Sequence, residues 1–479
     1  MKKEFKNPSN QYRPIPFWSW NDKLEKEELE FQINEMKQAG VGGFFMHARS
    51  GLKVKYLSEE WFDCIKAGID KAKEVGLDAW AYDEEGWPSG FAGGLIPAMS
   101  KDFQSKFITM EKHTTAQSIE LTSMLAIYSY CESDKTYKRI IIDKHYKCMA
   151  GEVLLAVRRH LNPFYIDTMN KKATEAFIEC THQIYYERFG NDFGSYMKGF
   201  FTDEPRLACN NLGELPWSDD LPATFFCMHG YNILEHIAAL FVDVINYKQY
   251  RYDYWKTVNQ MFVQNYMKTI YDWCELHHCM STGHIMMEES IFSQMTSSGG
   301  VMPFYEYLHI PGIDWLRRSI ASPIIGKQVG SVACQLGKKQ VLTESFALCG
   351  WDVSFEELKW IAEWQFVNGV NQLCQHLEGY TVKGARKRDY PPSLFTQQTW
   401  WKEYKKFNDY MGRLCLALSC GNEVADVLLV HPMRSGFVIY DGTRTEEMRI
   451  LDRKLIETTE LLSGLHISYH FGDETIIEK

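Results

Sequence analysis

Two glutamates stand directly after short apolar runs that are typical of buried β-strands. Glu204 follows the run 197–202, and Glu344 follows the run 340–343. Hydrolysis of a glycosidic bond needs one carboxylic acid to protonate the leaving oxygen and a second carboxylate to act as base or nucleophile. We therefore predict that Glu204 and Glu344 form a catalytic pair, although a structural salt bridge is the alternative for Glu204 taken alone.

Other polar and aromatic residues follow neighbouring apolar runs and are candidates for binding a substrate. They are His47, Arg49, Asp83, Glu84, Trp87, His284 and His376. Each has an ordinary alternative, because histidines and tryptophans are often packed in a core and an acidic run is often a solvated loop. Asp203 leaves two interpretations open, since it is either a supporting carboxylate on the other side of the strand or a charge that raises the pKa of Glu204.

The elements that position these residues alternate between strands and helices. Helix-periodic segments separate eight predicted strands, which are 15–20, 41–46, 78–82, 197–202, 280–286, 312–316, 340–343 and 371–377. Parallel neighbours need a helical crossover, and eight such units predict an α/β fold of the (β/α)8 TIM-barrel type. In such a barrel the residues after the carboxyl ends of the strands meet at one mouth, where active sites lie.

Two segments depart from this alternation. We expect a glycosidase-type barrel over 12–420, a small β-rich domain inserted at 101–163, and a partial Rossmann-like α/β unit at 424–479. Two strands and one helix cannot complete a doubly wound sheet. The last unit is therefore either the start of a further domain, which we favour, or an appendage that docks on the barrel.

Composition excludes several classes of protein. The 52 basic and 62 acidic residues give a net charge of −10, so we expect no nucleic-acid partner. We also expect no membrane span and a cytoplasmic location, because neither a long apolar run nor a signal-peptide core is visible. The thirteen cysteines form no CxxC pair, and we assign no metal ligands. The basic cluster at 383–388 is either a solvated loop or a site for an acidic sugar.

Seven long motifs, in the same order along the chain, together resemble glycoside hydrolase family 106, the α-L-rhamnosidases and their relatives. They are PIPFWSWND (14–22), GVGGFFMHARSGL (40–52), YLSEEWF (56–62), AWAYDEEGWPSGFAGG (79–94), GFFTDEP (199–205), YEYLHIPGIDWL (305–316) and VLTESFALCGW (341–351). The resemblance covers nearly all of residues 12–420. It implies a barrel that removes terminal α-L-rhamnose with inversion, Glu204 as the acid, Glu344 as the base, and an associated calcium ion whose ligands stay unassigned.

Two departures from the family pattern accompany this resemblance. Family members are usually longer, with β-rich domains after the barrel, and many carry export signals; the lack of a visible signal here points to intracellular processing of imported oligosaccharides. We expect an exo-acting, inverting α-L-rhamnosidase-like enzyme whose partner is an oligosaccharide or glycoside. The alternatives are a retaining barrel glycosidase acting on a galactoside-like sugar and a remnant that binds carbohydrate without cleaving it. The sequence does not determine the oligomeric state.

Overall fold

The architecture comes from a computed structural model that describes residues 2–114, 118–120, 124–141, 145–147, 151–207 and 209–479. In chain order, its strands are β1 (Phe17–Trp20), β2 (Gly43–Ala48), β3 (Asp78–Tyr82), β4 (Gln104–His113), β5 (Ser118–Glu120), β6 (Met124–Cys131), β7 (Thr136–Ile140), β8 (His145–Lys147), β9 (Val153–Ile166), β10 (Met197–Asp203), β11 (Leu215–Trp217), β12 (Met280–His284), β13 (Ile310–Trp315), β14 (Leu342–Ser345), β15 (Gln372–Gln375), β16 (Glu378–Gly379), β17 (Val427–Val430) and β18 (Tyr469–Gly472).

The α-helices lie mainly between these strands. They are α1 (Lys2–Lys6), α2 (Lys26–Gln38), α3 (Glu59–Val75), α4 (Leu95–Met99), α5 (Lys171–Cys180), α6 (His182–Phe189), α7 (Leu221–His229), α8 (Tyr247–Phe262), α9 (Lys268–Leu276), α10 (Ile291–Ser297), α11 (Met302–Tyr305), α12 (Ile324–Gln335), α13 (Phe355–Val367), α14 (Tyr404–Ser419), α15 (Met433–Ile439), α16 (Glu446–Gly464) and α17 (Glu474–Ile477). Across the described part of the chain, no helix combines the length and the apolar character needed to cross a bilayer.

The central sheet is parallel and closes into the predicted barrel. Its strand order is β15-β14-β13-β12-β10-β3-β2-β1-β16. The two strands at the ends of this order, β15 and β16, are consecutive in the chain, so β15 pairs with β14 while β16 pairs with β1. The eighth predicted strand, 371–377, contains β15, and the short strand β16 directly after it completes the sheet against β1. The α/β barrel prediction is confirmed.

Aromatic side chains fill the interior of the barrel below the mouth. The ring centroid of Phe201 lies 4.6 Å from that of Phe17 and 5.0 Å from that of Phe45. These rings belong to a buried cluster with Trp80 and Tyr82. Successive strand residues point to opposite faces, so one face of each strand fills this interior while the other packs on the surrounding helices. The mouth therefore rests on a rigid apolar floor.

Glycine permits the close approach of two strands that carry polar residues to the mouth. A Cβ atom on Gly283 of β12 would lie 1.9 Å from the carbonyl oxygen of Thr202 in β10, a distance that no side chain tolerates. The strands pair in register, with Asp203 opposite His284. Because residues in register on parallel strands point to the same face, Asp203 and His284 are neighbours at the mouth.

The segment after β3 forms a separate antiparallel sheet with the order β11-β4-β9-β6-β7. Its edge strand β11 comes from 215–217, beyond the segment 101–163. The predicted strand segment 124–130 falls in β6, and 152–157 falls in β9 from Val153 onward. The segment 139–142 reaches β7 at 139–140, whereas its Ile142 lies outside the described residues.

The last segment contains β17 and β18, which pair in parallel, with α15 and α16 between them. Strand β18 contacts the barrel helix α12. The backbone N–H of Phe471 donates to Oγ of Ser331 at 2.8 Å, and Nε2 of Gln335 donates to the carbonyl oxygen of Phe471 at 2.7 Å. The bounds 12–420, 101–163 and 424–479 stay predictions about domains.

Candidate active site

The carboxyl ends of the barrel strands surround a cavity of about 500 Å³, which we call the mouth cavity. Six of the nine residues predicted for the site line it, namely His47, Arg49, Trp87, Glu204, Glu344 and His376. The chain therefore brings together side chains that are up to 329 positions apart, counted from His47 to His376. The other three predicted residues, Asp83, Glu84 and His284, are buried beside or beneath this cavity.

Glu204 follows β10 with a backbone φ of 48°, in the left-handed region that non-glycine residues rarely occupy. Its N–H donates to the carbonyl oxygen of His284 at 3.2 Å, and its Oε2 accepts a hydrogen bond from Nε1 of Trp87 at 2.8 Å. Burial raises the pKa of Glu204 to about 7, and the charge of Asp203 also raises it. A carboxyl group with this pKa holds its proton near neutral pH, as a general acid must.

Glu344 is buried at the end of β14 and pairs with a histidine. Its Oε2 accepts a hydrogen bond from Nε2 of His284 at 2.7 Å, and the same nitrogen lies 3.8 Å from Oδ1 of Asp203. Burial opposes the charged form of His284, but the hydrogen bond and charge of Glu344 raise its pKa well above the usual range. Burial raises the pKa of Glu344, whereas the contact with His284 lowers it. The imidazolium thus supports an ionised Glu344.

The contacts of Asp203 fit both roles that its position in the sequence left open, a supporting carboxylate and a charge that raises the pKa of Glu204. It is the last residue of β10, and its Oδ2 accepts a hydrogen bond from the hydroxyl of Tyr82 at 2.6 Å. It therefore supports the site from within the strand. Its negative charge also contributes to the raised pKa of Glu204.

Arg49 is held by an acidic partner, Asp389, from a loop late in the chain. Its guanidinium makes two hydrogen bonds of 2.9 Å with the carboxylate of Asp389, and its Cζ lies 5.7 Å from the ring centroid of Tyr390. A bidentate arginine–carboxylate pair has a defined orientation. Arg49 therefore forms part of the wall of the mouth cavity in a fixed orientation. The carboxylate of Asp389 compensates most of its positive charge.

His47 and His376 face the mouth cavity as neutral imidazoles. Burial lowers the pKa of each well below the usual range, and the charge of Arg49 lowers it further. The ring of His47 lies 3.9 Å from that of Tyr82, and Nδ1 of each histidine is buried without a hydrogen-bond partner among the described residues. A neutral imidazole has one donor and one acceptor nitrogen, which suits it to sugar hydroxyls.

Asp83 and Glu84 make contacts within the protein that shape the loop carrying Trp87. The carboxylate of Asp83 accepts a hydrogen bond from Oγ of Ser89 at 2.5 Å. The carboxylate of Glu84 accepts backbone N–H bonds from five residues between 85 and 93, at 2.5 to 3.2 Å. Both acids are fully buried and do not line the mouth cavity, so we assign them to the support of the loop.

Other polar residues outside the predicted set also line the cavity: Ser50, Glu85, Asp203, Glu289, Asp314, Asp389 and Tyr390. Glu289 follows the predicted strand 280–286, and Asp314 lies within the predicted strand 312–316, so their position along the chain was a signal that could have identified them. Asp389 and Tyr390 had no such signal, because they belong to a loop about ten residues after the last barrel strand. The basic cluster lies in the same loop, where Arg386 contacts Asp22 at 3.3 Å.

The calcium ion that the family resemblance implied needs six to eight oxygen ligands. One trio among the described residues, Asp203, His284 and Glu344, has possible ligand atoms within 4.8 Å of one another, but it includes an imidazole that already bonds Glu344. Asp314 fits better, because its Oδ1 is buried without a hydrogen-bond partner among the described residues. Burial and then the charge of Glu344 raise its pKa well above the usual range.

Comparison with known proteins gives a family match and a fold match. The sequence model of glycoside hydrolase family 106, described as α-L-rhamnosidase, matches residues 129–438, which is more than half of the chain. A protein of Formosa agariphila named putative β-glucuronidase is 22% identical over 521 aligned positions, which cover 89% of this chain and 42% of that protein.

Two solved structures share the fold. A rhamnosidase from Novosphingobium sp. PP1Y superposes with a TM-score of 0.69 and 14% identity, over 98% of this chain and 64% of that chain. Gan42B, a GH42 β-galactosidase from G. stearothermophilus, superposes with a TM-score of 0.60 and 11% identity, over 98% of this chain and 66% of that chain. This chain thus spans less than half of the curated relative and about two thirds of each structure.

Proposed function

The chain belongs to glycoside hydrolase family 106, and from this premise we propose that it is an exo-acting glycosidase that removes terminal α-L-rhamnose with inversion. The observation that carries the proposal is the meeting of two carboxyl groups, from Glu204 and Glu344, in one cavity at the carboxyl ends of β10 and β14. Their environments differ, because Glu204 contacts a neutral indole while Glu344 contacts a cationic imidazole.

Glu204 acts as the general acid. The indole N–H of Trp87 is a donor only, so Oε2 of Glu204 accepts its hydrogen bond, which favours the acidic proton on Oε1. This proton passes to the glycosidic oxygen as the bond between that oxygen and the anomeric carbon breaks. The departing group leaves as an alcohol, and Glu204 becomes a carboxylate.

Glu344 acts as the general base. It removes a proton from a water molecule whose oxygen forms the new bond to the anomeric carbon, on the face opposite to the leaving group. His284 holds Oε2 of Glu344, which leaves Oε1 for the water. A new substrate can react once Glu344 returns its proton to solvent and Glu204 regains one.

The sugar ring is bound by the walls of the mouth cavity. His47, His376 and the Arg49–Asp389 pair supply hydrogen-bonding groups, and the exposed ring of Trp87 supplies an apolar face. Asp314 would contribute carboxylate oxygens to a calcium ion, which when bound supplies positive charge to a cavity lined by acids and coordinates sugar hydroxyls.

The test is hydrolysis of a panel of glycosides by the wild type and by Glu204→Gln and Glu344→Gln. We expect each variant to lower kcat at least 100-fold on substrates with poor leaving groups, because general acid–base catalysis contributes about 10²–10⁴-fold. Glu356→Gln, which changes an exposed glutamate on α13, is the control. Near-normal rates for either site variant would reject the assignment of its role.

The configuration of the first-formed product decides the stereochemistry. Nuclear magnetic resonance of the fresh reaction mixture should show the β-anomer of rhamnose, because one displacement inverts the α-linkage. Release of the α-anomer would indicate a retaining enzyme, and release of galactose in place of rhamnose would support the galactoside-like alternative. Binding without turnover of any glycoside in the panel would support the non-catalytic one.

A further inference from the structure

Trp87 separates the mouth cavity from a second cavity of about 150 Å³, which we call the side cavity. The side cavity is lined by Trp87, by Phe164 of β9 and by Arg206 and Asn210 of the segment after Glu204. It therefore lies between the barrel and the inserted antiparallel sheet, and it has an aromatic side and a polar side.

The inserted strand is distorted at this place. Ser105 of β4 is paired with Asn162, whereas the preceding residue, Gln104, is paired with Ile166, so three residues of β9 bulge out between the two pairs. Phe164 is the middle one, and 83% of its side chain is exposed. Bulges redirect side chains and are frequent next to active sites. Phe164 is not isolated, because the exposed ring of Trp87 lines the same cavity.

A buried tyrosine fixes the insert to the catalytic loops. The hydroxyl of Tyr165 donates to the carbonyl oxygen of Ser89 at 2.7 Å and accepts from the backbone N–H of Arg206 at 3.2 Å. Ser89 belongs to the loop that carries Trp87, and Arg206 lies two residues after Glu204. The side cavity is therefore held in a constant position relative to the proposed acid.

We propose that the side cavity binds the leaving-group portion of an oligosaccharide. The inserted sheet thereby selects substrates by the sugar units to which the terminal sugar is linked. This inference rests on the proposed function. A general acid contacts the glycosidic oxygen, and the leaving group begins at that oxygen. Glu204 contacts Trp87, so the leaving group departs on the side of Trp87, where the side cavity lies.

The chemistry of the lining matches a neutral sugar chain. Trp87 and Phe164 offer rings against which the C–H faces of pyranose rings can pack. Arg206 and Asn210 supply donors and acceptors for hydroxyl groups. Nη2 of Arg206 is held 3.1 Å from Oδ1 of Asn210, which orients both groups along the polar side of the cavity.

The test compares Phe164→Ala with Phe31→Ala, which truncates a half-exposed phenylalanine on α2. The probes are methyl α-L-rhamnoside, which occupies the mouth cavity only, and a trisaccharide with a terminal α-L-rhamnosyl group followed by two glucose units. Calorimetric titrations use the Glu204→Gln background so that the probes are not consumed. Phe164→Ala should weaken trisaccharide binding about tenfold and leave methyl α-L-rhamnoside binding within twofold, whereas Phe31→Ala should change neither.

Hydrolysis of the two probes by proteins with an intact Glu204 distinguishes failure of this inference from failure of the proposed function. If the wild type hydrolyses both probes and Phe164→Ala affects them equally or not at all, the side-cavity proposal is overturned and the proposed function stands. If the wild type hydrolyses neither probe but the trisaccharide binds in a Phe164-dependent way, the proposed function is overturned and the side-cavity proposal stands. Absence of both hydrolysis and binding would overturn both.

Discussion

Nε2 of His284 lies 2.7 Å from Oε2 of Glu344, and this contact joins the ends of β12 and β14, the two strands on either side of β13. The two residues are 60 positions apart in the chain. His284 is also the cross-strand neighbour of Asp203, so one imidazole lies between two buried carboxylates. Removal of this cation would leave two negative charges close together, which is costly in a buried site.

Replacement of His284 by glutamine should therefore impair the base. We expect His284→Gln to lower kcat/KM about 10- to 100-fold and to move the acidic limb of the pH profile to higher pH. The physical reason is that Glu344 loses a cationic neighbour and keeps the charge of Asp203 nearby, so its pKa rises further. The measurement is kcat/KM from pH 4 to pH 9.

His309 provides a matched control for this variant. Its Nε2 lies 2.7 Å from Oε1 of Glu275 at the outer, opposite end of the barrel. His309→Gln should leave the pH profile unchanged. Equal shifts of the acidic limb in both variants would mean that His284 has no specific effect on Glu344.

The pH dependence of the wild type should have its alkaline limb near neutrality. Burial raises the pKa of Glu204 to about 7, so the acid loses its proton, and the enzyme its activity, as the pH rises through about 7. Glu204→Gln should retain a small residual rate without this limb. An alkaline limb that persists unchanged in Glu204→Gln would assign it to another group.

Trp87→Phe should alter the acid while it preserves an aromatic ring. The indole N–H stabilises the carboxylate form of Glu204 through a 2.8 Å hydrogen bond, so its loss should move the alkaline limb to higher pH. It also frees the proton to occupy either oxygen. We expect kcat to fall about tenfold on alkyl glycosides and to stay within twofold on a dinitrophenyl glycoside, which needs little acid assistance. Equal losses on both substrates would indicate that Trp87 acts only through packing.

Glu84→Ala should destabilise the loop that carries Trp87. Five backbone N–H groups donate to the buried carboxylate, and each loses its partner in the variant. We expect a loss of about 3 kcal/mol or more in the free energy of unfolding, because each unsatisfied buried donor costs about 1–3 kcal/mol. Thermal unfolding followed by circular dichroism measures the change, with Glu85→Ala, an exposed neighbour, as the control. Equal melting temperatures would show that the loop does not depend on Glu84.

Calcium should stabilise the protein through Asp314. A ligand that binds only the folded state at 100 times its Kd adds about 2.7 kcal/mol of stability. We expect calcium chloride to raise the Tm of the wild type, a chelator to reverse the rise, and Asp314→Asn to abolish it. The exposed Asp352→Asn serves as the control. The same calcium-dependent rise in wild type and Asp314→Asn would exclude Asp314 as a ligand.

Several features of this protein follow from the amino-acid sequence alone. The apolar runs and the helix-periodic segments between them predicted the strands of the barrel, because burial of one face imposes a period on the residues. The ends of α3 depend on local residue types: Ser58 accepts a hydrogen bond from the N–H of Trp61 at its start, and Gly76 ends it with a φ of 69°. These are short-range effects, set by neighbours within a few positions.

The contacts of the site depended on the tertiary structure. Strand register placed His284 beside Asp203 and Glu344, and closure of the barrel brought Asp389 of a late loop to Arg49. In the same fold the carboxylate of Glu84, another acidic residue after a strand, accepts hydrogen bonds from backbone N–H groups. Residue type and spacing along the chain identify the side chains after the strands as candidates for the mouth of a barrel. Which of them point into the cavity, and which partner each one has, is decided by side-chain direction and by distances between elements that are far apart in the chain.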